Sequence, residues 1–373
     1  MSTGPGPLLD RLLRLCVERE ASDLHVTAGE PIVLRNLGRL ERLDLPAPSA
    51  AETEAMSLEL LDEGQRRAFS EERTIDLALS LELPGGQSAR FRLNVFRERG
   101  RAALAIRRLE ERIRTLQELR LPSALADLTE LDEGLVLFVG PTGSGKSTSL
   151  ATLIDRINRT RDVHVLTLED PIEYLHQSER ALIRQRQLYS DFPAFAGALR
   201  ATLREDPDVI LVGEMRDTDT LRIALTAAET GHLVFSTLHA GSAVGAAERF
   251  VGAFADHERD SVRSQLSHVL RAVVSQRLLP TSDGQGRVPA VELLLVTPAV
   301  SNLIRSGKPA QVYSAMESGA SLGMRTFEAS LAELVLGGLV SEERARRAAR
   351  DPRQLEERLR QARIGRVRVV SRS

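Results

Sequence analysis

A nine-residue segment has the residue types and spacing of a phosphate-binding loop. It reads Gly-Pro-Thr-Gly-Ser-Gly-Lys-Ser-Thr and satisfies the pattern Gly-x-x-x-x-Gly-Lys-[Ser/Thr]. Glycines let backbone N–H groups approach phosphate oxygens, Lys146 would reach the β- and γ-phosphates, and Ser147 would offer its hydroxyl to Mg²⁺. The residues predicted to bind ATP are Gly140, Pro141, Thr142, Gly143, Ser144, Gly145, Lys146, Ser147 and Thr148.

The scarcity of lysine supports this interpretation. Of the 50 basic residues in the chain, 48 are Arg, and the two lysines are Lys146 and Lys308. An arginine presents a larger planar fork and does not reproduce the compact charge of an ammonium group. One of the two lysines therefore stands where a phosphate-binding loop requires that charge.

Acidic residues follow two further apolar segments. Val209–Gly213 reads as a buried strand that delivers Glu214 to its carboxyl end, where ligands bind in open α/β sheets. Glu214 is predicted to hold the Mg²⁺ hydration shell or to orient water, which makes Ser147 and Glu214 the metal candidates. Asp208, at the start of the same strand, is expected to be structural.

The segment Glu169–Glu173 places three carboxylates within five residues, just after another strand. Such carboxylates repel one another unless a metal ion or an arginine is near. One of them is predicted to be the general base, with Glu173 as the first choice. Two histidines, His232 and His239, flank the strand Leu233–Thr237 and are predicted to sense or stabilise the γ-phosphate.

These segments belong to an alternation of strands and helices from Leu135 to Thr237, which predicts a parallel sheet with helical crossovers. Beyond Ser242 the pattern is mostly helical, with one strand expected at Ala290–Val296. The fold class is thus α/β.

The first hundred residues predict a smaller α+β unit of PAS-like character. A helical stripe that includes Cys16 is followed by short strands, a helix from Ser49 to about Leu61, and antiparallel strands. The charged stretch Leu109–Glu133 is helical in pattern and is taken as the linker. The expected domains are residues 1–112, a linker of residues 113–133, and an ATPase domain of residues 134–373 with a helical C-terminal region.

Composition excludes several classes of protein. The chain has 373 residues, a formal net charge of −2, 3% aromatic residues and no Trp, which is unlike a nucleic-acid binder. A single cysteine excludes intrachain disulfides and multi-cysteine zinc sites. No apolar run approaches the length of a membrane span and no signal peptide is recognisable, so a cytoplasmic location is expected.

Together the motifs resemble those of the secretion ATPase superfamily, and within it the type IV pilus retraction ATPases (PilT-type). The resemblance extends from about Ala21 to Pro352. Its segments are Ala21–His25, the aspartate box Glu169–Glu173, the Walker B region Arg200–Asp217, the histidine box Thr230–His239, Ser275–Pro280 and Gly323–Phe327.

The resemblance implies a homo-hexameric, Mg²⁺-dependent ATPase with a RecA-like core, which powers pilus retraction and twitching motility. It also implies docking on an inner-membrane pilus platform protein (PilC-like) at the inner face of the cytoplasmic membrane. Members of the family contribute two arginines, fifteen residues apart, to the phosphates. Arg92 and Arg107 have that spacing, and Arg97 is a weaker third candidate.

The chain departs from the family pattern in its retraction-linked motif. The family reads AIRNLIRE, whereas residues 299–306 read AVSNLIRS, with Ser301 and Ser306 in place of the first Arg and the final Glu. Leu303 and Ile304 match the family motif, so the helix is expected to pack, but its polar contacts are expected to differ from those of the family. Ser236 and Gly241 also depart from the usual histidine-box neighbourhood.

Three alternatives remain beside pilus retraction. An assembly or type II secretion ATPase of the same superfamily usually carries a further N-terminal domain and a tetra-cysteine zinc insertion, and this chain has one cysteine. A nucleic-acid translocase would need a basic groove and stacking aromatic residues. A non-hydrolysing nucleotide-binding regulator is disfavoured by the intact Lys146, Glu173 and Glu214.

Overall fold

The computed structural model describes residues 5–36, 39–86, 88–110 and 112–370, with side chains up to residue 364. By their internal contacts the residues form two compact units. The first unit comprises Met1–Ile113, Thr167–Gln177 and Arg184–Ala198, and the second comprises Arg114–Leu166, Ser178–Ile183 and Leu199–Ser373. The predicted domains were continuous stretches, whereas this division assigns two segments of the predicted ATPase domain to the first unit.

The first unit contains an antiparallel sheet of six strands in the order β3-β2-β1-β6-β5-β4. Its elements are α1 (Pro7–Glu18), β1 (Asp23–Thr27), β2 (Val33–Asn36), β3 (Arg39–Arg42), α2 (Ala50–Leu60), α3 (Glu63–Glu72), β4 (Thr74–Glu82), β5 (Ser88–Glu98) and β6 (Arg101–Leu109). The predicted elements are present here, and α3 was not predicted.

Apolar periodicity and helix capping explain these elements. Helix α1 buries Leu9, Leu12, Leu13 and Cys16, which recur at the spacing of one helical face. Burial raises the pKa of the Cys16 thiol to about 11, so it is a packed core thiol as expected. Helices α2 and α3 each begin with a capping box, in which the N-cap side chain and the third helical residue satisfy each other's backbone N–H groups.

A tight hairpin aligns the two predicted arginines. Strands β5 and β6 are joined at Arg99 and Gly100, whose φ angles of 50° and 78° suit a two-residue hairpin turn. The register that follows from this turn pairs Arg92 directly with Arg107. The fifteen-residue spacing is therefore the spacing of cross-strand neighbours on one face of the sheet.

The second sheet has seven strands in the order β13-β12-β7-β11-β10-β8-β9. Its strands are β7 (Gly134–Val139), β8 (His164–Glu169), β9 (Leu182–Gln187), β10 (Val209–Val212), β11 (Leu233–Leu238), β12 (Leu270–Pro280) and β13 (Arg287–Leu295). Strands β12, β7, β11 and β10 are parallel neighbours, and β13 is antiparallel to β12. The predicted parallel core is thus present.

Helices connect these strands and form the C-terminal region. They are α4 (Lys146–Thr160), α5 (Phe195–Thr202), α6 (Thr218–Glu229), α7 (Ala243–Val251), α8 (Arg259–Val269), α9 (Pro298–Arg305), α10 (Pro309–Ser318), α11 (Phe327–Leu336), α12 (Glu342–Ala348) and α13 (Pro352–Val370). Within the described ranges, no helix combines the length and apolar character needed to cross a membrane.

Two sequence-based expectations are corrected by the structure. The stretch after Ser242 was expected to hold one strand, but β12 is a second strand and lies inside the sheet, next to β7. The stretch Leu109–Glu133 was expected to be helical. Instead β6 continues to Leu109, a turn occupies residues 116–120, and a short 3-10 helix follows at Ser123–Thr129. The spacing of charged residues in this stretch resembles that of a helix, although the described residues of the stretch lie outside any α-helix.

Candidate nucleotide site

The phosphate-binding loop occupies the junction between β7 and α4. All six residues of β7 are buried, so the strand is fixed in the core and delivers Gly140 at its carboxyl end. Gly140, Gly143 and Gly145 have φ angles of 142°, 74° and 90°, which L side chains rarely adopt. The glycines of the motif are therefore required by the backbone itself.

Strand β12 supports the loop from the side through Gln276. The Gln276 side chain is buried, and its Oε1 accepts a hydrogen bond of 2.8 Å from Ser149 Oγ in α4. A Cβ atom at Gly140 would overlap the Gln276 carbonyl oxygen, and one at Gly145 would lie 2.8 Å from Gln276 Nε2. Sequence reasoning missed this residue, although it lies in the Ser275–Pro280 segment of the family resemblance.

The loop has the features that a phosphate group needs. Lys146 Nζ donates to the carbonyl oxygens of Gly140 at 2.9 Å and Pro141 at 3.1 Å, which keeps the ammonium over the loop. Ser144 Oγ is buried and finds no hydrogen-bond partner among the described residues. A polar atom of this kind is costly unless a ligand satisfies it. The residues present therefore fit the phosphates of a nucleotide.

Glu214 follows β10 and is held by two side chains. His239 Nε2 lies 2.9 Å from Glu214 Oε1, and Arg216 Nη2 lies 3.0 Å from Glu214 Oε2. Strand β10 is parallel to β11, and β11 is parallel to β7, so Glu214, His239 and the loop follow neighbouring strands at the same edge. The structure thus brings together three elements that are widely separated in the sequence.

Hydroxyl groups on β11 fix the turn that carries Glu214. Ser236 Oγ donates to Val212 O at 2.7 Å, and Thr237 Oγ1 donates to Gly213 O at 2.6 Å. Ser236, noted as a departure from the family pattern, is fully buried and hydrogen-bonded. Asp208, at the other end of β10, accepts from the backbone N–H of His164 at 2.7 Å, which agrees with the structural role expected for it.

His232 is not brought to this edge within the chain. It precedes β11, and its carbonyl oxygen accepts from Gly134 N, at the start of β7 and a full strand length away from Gly140. Its Nδ1 lies 3.0 Å from Ala227 O and 3.2 Å from Thr230 Oγ1, at the end of α6. Residues that flank one strand lie at its opposite ends, so within the chain only His239 lies beside Glu214, and the role expected for His232 stays a prediction.

In the first unit, Arg92 is held between two carboxylates. Its Nη1 lies 3.0 Å from Glu173 Oε1, and its Nη2 lies 3.0 Å from Asp76 Oδ2. Burial alone would lower the pKa of Arg92, but Asp76, Glu173 and Asp170 outweigh it and hold the pKa above its ordinary value. Asp76 is fixed in turn by Asn94, whose Nδ2 donates to Asp76 Oδ1 at 3.1 Å.

Arg90 joins the same group, and sequence reasoning missed it. It is buried and donates to the carbonyl oxygens of Ile172 at 2.8 Å and Glu173 at 3.0 Å. Residues two apart in a strand share a face of the sheet. The signal that could have found Arg90 was its position two residues before Arg92.

Glu169, at the end of β8, is the first carboxylate of the aspartate box, and its side chain has hydrogen-bond donors beside it. Thr167 Oγ1 and Gln185 Nε2 donate to Glu169 Oε1 at 2.7 Å and 3.1 Å. Burial raises the pKa of this carboxyl, and the nearby charge of Glu173 adds to the effect. A carboxyl with a raised pKa suits proton transfer near neutral pH, so Glu169 joins Glu173 as a candidate general base.

The remaining arginine candidates have different partners. Arg107 Nε donates to Asp23 Oδ1 at 2.8 Å, although 71% of the Arg107 side chain is exposed. Burial alone would raise the pKa of Asp23, but hydrogen bonds from Arg107 and Ser22 outweigh it and hold the pKa below its ordinary value. Arg97 is paired with Glu54 and lies over the ring of Phe69, away from the group that holds Arg92.

The described side chains do not provide a ready-made metal site. No group of three or more His, Cys, Asp or Glu residues in these ranges could hold a metal ion. Mg²⁺ in nucleotide enzymes commonly takes one or two protein ligands and completes its shell with phosphates and water. Ser147 and Glu214 stay the predicted protein ligands of such an ion.

Comparison with known proteins places these features in a family. The model of the family described as type II/IV secretion system protein matches residues 6–368. The chain is 45% identical over 344 residues to the type IV pilus retractation ATPase PilT of Pseudomonas aeruginosa, covering 92% of this chain and 98% of the relative. It is 46% identical over 335 residues to a twitching motility protein of Neisseria gonorrhoeae, covering 90% and 88%.

A solved structure supports the same assignment. The crystal structure of the pilus retraction motor PilT with bound ADP matches this chain with a TM-score of 0.83 at 42% identity, covering 94% of this chain and 99% of that one. These findings confirm the predicted fold class and the resemblance carried by the motifs. The chain belongs to the type II/IV secretion system protein family, and its fold is that of a pilus retraction motor.

Proposed function

We propose that the chain is a hexameric, Mg²⁺-dependent ATPase that powers type IV pilus retraction and thereby twitching motility. The observation that carries the proposal is a complete phosphate-binding loop, with Glu214 at the same sheet edge, in a chain that is 45% identical over 344 residues to a pilus retraction ATPase. The likeness to PilT supports retraction rather than assembly of the pilus, and the phosphate-binding loop supports ATP hydrolysis.

The second unit supplies the groups that bind the nucleotide. Backbone N–H groups of the loop and the Lys146 ammonium would hold the phosphates, and Ser144 Oγ would gain the partner it lacks among the described residues. Ser147 and Glu214 would hold Mg²⁺, the latter through water. When bound, this ion neutralises charge on the phosphates. His239, at 2.9 Å from Glu214, would orient that carboxylate.

The first unit supplies the remaining candidate catalytic residues. Arg92 and Arg107 are cross-strand neighbours on one face of a sheet, so the two guanidinium groups suit an anionic substrate. Glu173, fixed by Arg92, remains the first choice for general base, and Glu169 is the second candidate. His232 stays a predicted member of the catalytic set, and within one chain its Nδ1 lies 3.0 Å from Ala227 O in α6.

For assembly and location, the support is the likeness to PilT and not the geometry of one chain. We place six copies in a closed ring at the inner face of the cytoplasmic membrane, docked on a platform protein of the PilC type, with no role for nucleic acid. Head-to-tail contacts between identical subunits give a closed ring when the rotation from one subunit to the next closes. Analytical ultracentrifugation of the full chain with and without nucleotide tests the ring.

Gene deletion tests the direction of work. Cells without the gene should carry excess surface pili and lose twitching, and the intact gene should restore both traits. A Lys146→Ala allele should fail to restore them, since it cannot turn over ATP. Loss of pili in the deletion strain would instead favour an assembly ATPase of the same family. The serines at positions 301 and 306 make this experiment informative.

Nucleotide binding tests the site independently of motility. Calorimetric titration of the purified chain with ADP should show tighter binding with Mg²⁺ than with a chelator present. Glu214→Gln should weaken the Mg²⁺-dependent part and leave the chelator value unchanged. Equal affinities under both conditions would contradict the proposed metal role.

A further inference from the structure

An ion pair between a buried glutamate and a partly exposed arginine lies in the second unit, outside the residues so far assigned to the reaction. Glu292, on β13, is fully buried, and Arg350, in the connection between α12 and α13, contacts its Oε1 at 2.8 Å through Nη1. A buried carboxylate is retained only where a partner and further hydrogen bonds compensate its loss of water. The other contacts of this pair therefore indicate what it holds.

The pair holds the turn that follows His239. Arg350 Nη2 donates to Gly241 O at 2.6 Å, and Glu292 Oε2 accepts from the backbone N–H of Ala243 at 2.7 Å. The turn is thus fixed at two points, two and four residues beyond His239. Arg350 Nη2 also lies 3.2 Å from Ser275 Oγ in β12, which limits the movement of the guanidinium.

Arg350 is itself fixed by helix α11. Its guanidinium lies over the Phe327 ring, 4.7 Å from the centroid. The backbone N–H groups of Arg350 and Asp351 donate to Oε1 of the buried Glu328 at 3.0 Å and 3.1 Å. Both the backbone and the side chain of Arg350 are therefore positioned by the C-terminal helices.

We propose that Arg350, together with Glu292, is a positioning residue for the ATPase site. It fixes the turn of residues 239–243, so that His239 stays against Glu214 at 2.9 Å. The Arg350 guanidinium thereby links the C-terminal helices to the turn that holds His239 beside Glu214. The inference rests on the proposed roles of His239 and Glu214.

Hydrogen exchange tests whether Arg350 fixes the turn. Arg350→Met in the full chain should raise the exchange rate of amides in residues 239–243 at least about tenfold while distant β7 amides keep theirs, because local opening exposes the affected amides first. The matched control is Arg346→Met, which breaks the exposed pair of Arg346 with Glu356, at 2.8 Å, and should leave the turn unchanged. Unchanged exchange in the turn of Arg350→Met would overturn the proposal.

A more conservative substitution keeps the test valid even where Arg350→Met does not fold. Arg350→Lys keeps a positive charge beside Glu292 but lacks the fork needed to reach Gly241 O as well. It should fold, and it should show faster exchange in the turn than the parent chain. If Arg350→Lys keeps the protection of the parent, the fork does not fix the turn and the proposal fails.

Kinetics separate positioning from general destabilisation. Arg350→Lys should lower kcat about five- to tenfold with little change in KM or in the affinity for ADP. The same substitution in a His239→Ala chain should lower kcat by less than about twofold, because the group it positions is gone. A full additional loss in that background would overturn the proposal. If His239→Ala alone leaves kcat unchanged, the assigned role of His239 fails, while hydrogen exchange still decides whether Arg350 fixes the turn.

Discussion

The two candidate regions are built in opposite ways. The loop of the second unit is made mostly of backbone, in nine consecutive residues whose glycines adopt conformations that other residues avoid. The charged group of the first unit is made of side chains from β4, β5 and the aspartate box, and it is held by ion pairs. The first design depends on local sequence, whereas the second depends on strand register.

This difference predicts how each region responds to substitution. A backbone cradle presents fixed N–H groups, so the loss of one side chain removes one specific interaction. A side-chain group is mutually supporting, so the loss of one member releases the others. Four substitutions test this contrast, from the largest expected effect to the smallest.

Lys146→Ala should reduce ATP turnover about a thousandfold, the upper range for removing one group that stabilises developing charge. Lys146→Arg should restore little of it, because the fork does not reproduce the ammonium contacts at 2.9 Å and 3.1 Å. Steady-state phosphate release measures both variants. Turnover within about twofold of the parent in Lys146→Ala would refute the site.

Arg92→Ala should lower turnover about 30- to 100-fold and weaken ADP binding much less, as expected for a group that acts mainly in the transition state. Arg97→Ala is the matched control on the same strand. Arg97 pairs with Glu54, so its loss should reduce stability while turnover changes little. Equal losses of turnover and binding in Arg92→Ala would argue against a transition-state role.

Asp76→Asn should lower turnover about fivefold, equivalent to about 1 kcal/mol in the barrier. The amide keeps the shape of the carboxyl but not the charge that holds Arg92 from the side opposite Glu173. Arg92→Ala combined with Asp76→Asn should be no worse than Arg92→Ala alone, and kinetic comparison of the three chains measures this. Independent, additive losses would show that Asp76 does not act through Arg92.

Glu169→Gln should raise the free energy of unfolding by about 1 kcal/mol more at pH 8 than at pH 5. The pKa of Glu169 in the folded chain is raised above its ordinary value. At low pH the folded and unfolded chains both hold the proton, so this group then costs no stability. As the pH rises through the folded pKa, the parent chain loses stability, because the unfolded chain gives up the proton more readily. Gln stays neutral throughout, and its oxygen can accept the same hydrogen bonds. Urea unfolding at the two pH values measures the difference, and an equal effect at both would contradict the assigned burial.

The same contrast explains what the sequence could predict. The phosphate-binding loop is contiguous and lies between a buried strand and a helix, so a short pattern predicts both its position and its chemistry. Asp76 is recognisable only after the register of β4 with β5 is known, because that register pairs it with Asn94 and so sets it diagonally across from Arg92. Arg90 lies on the same strand as Arg92 and two residues before it, so its place on the same face was accessible from the sequence. Strand β12 was missed because it follows α8 without a break, and a buried apolar run has no periodicity that separates strand from helix.

The number of residues in β5 and β6 determines the face of the sheet on which Arg92 and Arg107 lie. One residue inserted into either arm between Arg92 and Arg107 would turn one of the two arginines to the opposite face of the sheet, even with every side chain retained. The number of residues in these arms is thus constrained as strongly as the identity of the arginines. Within this stretch, relatives that share the function should vary in composition but not in length.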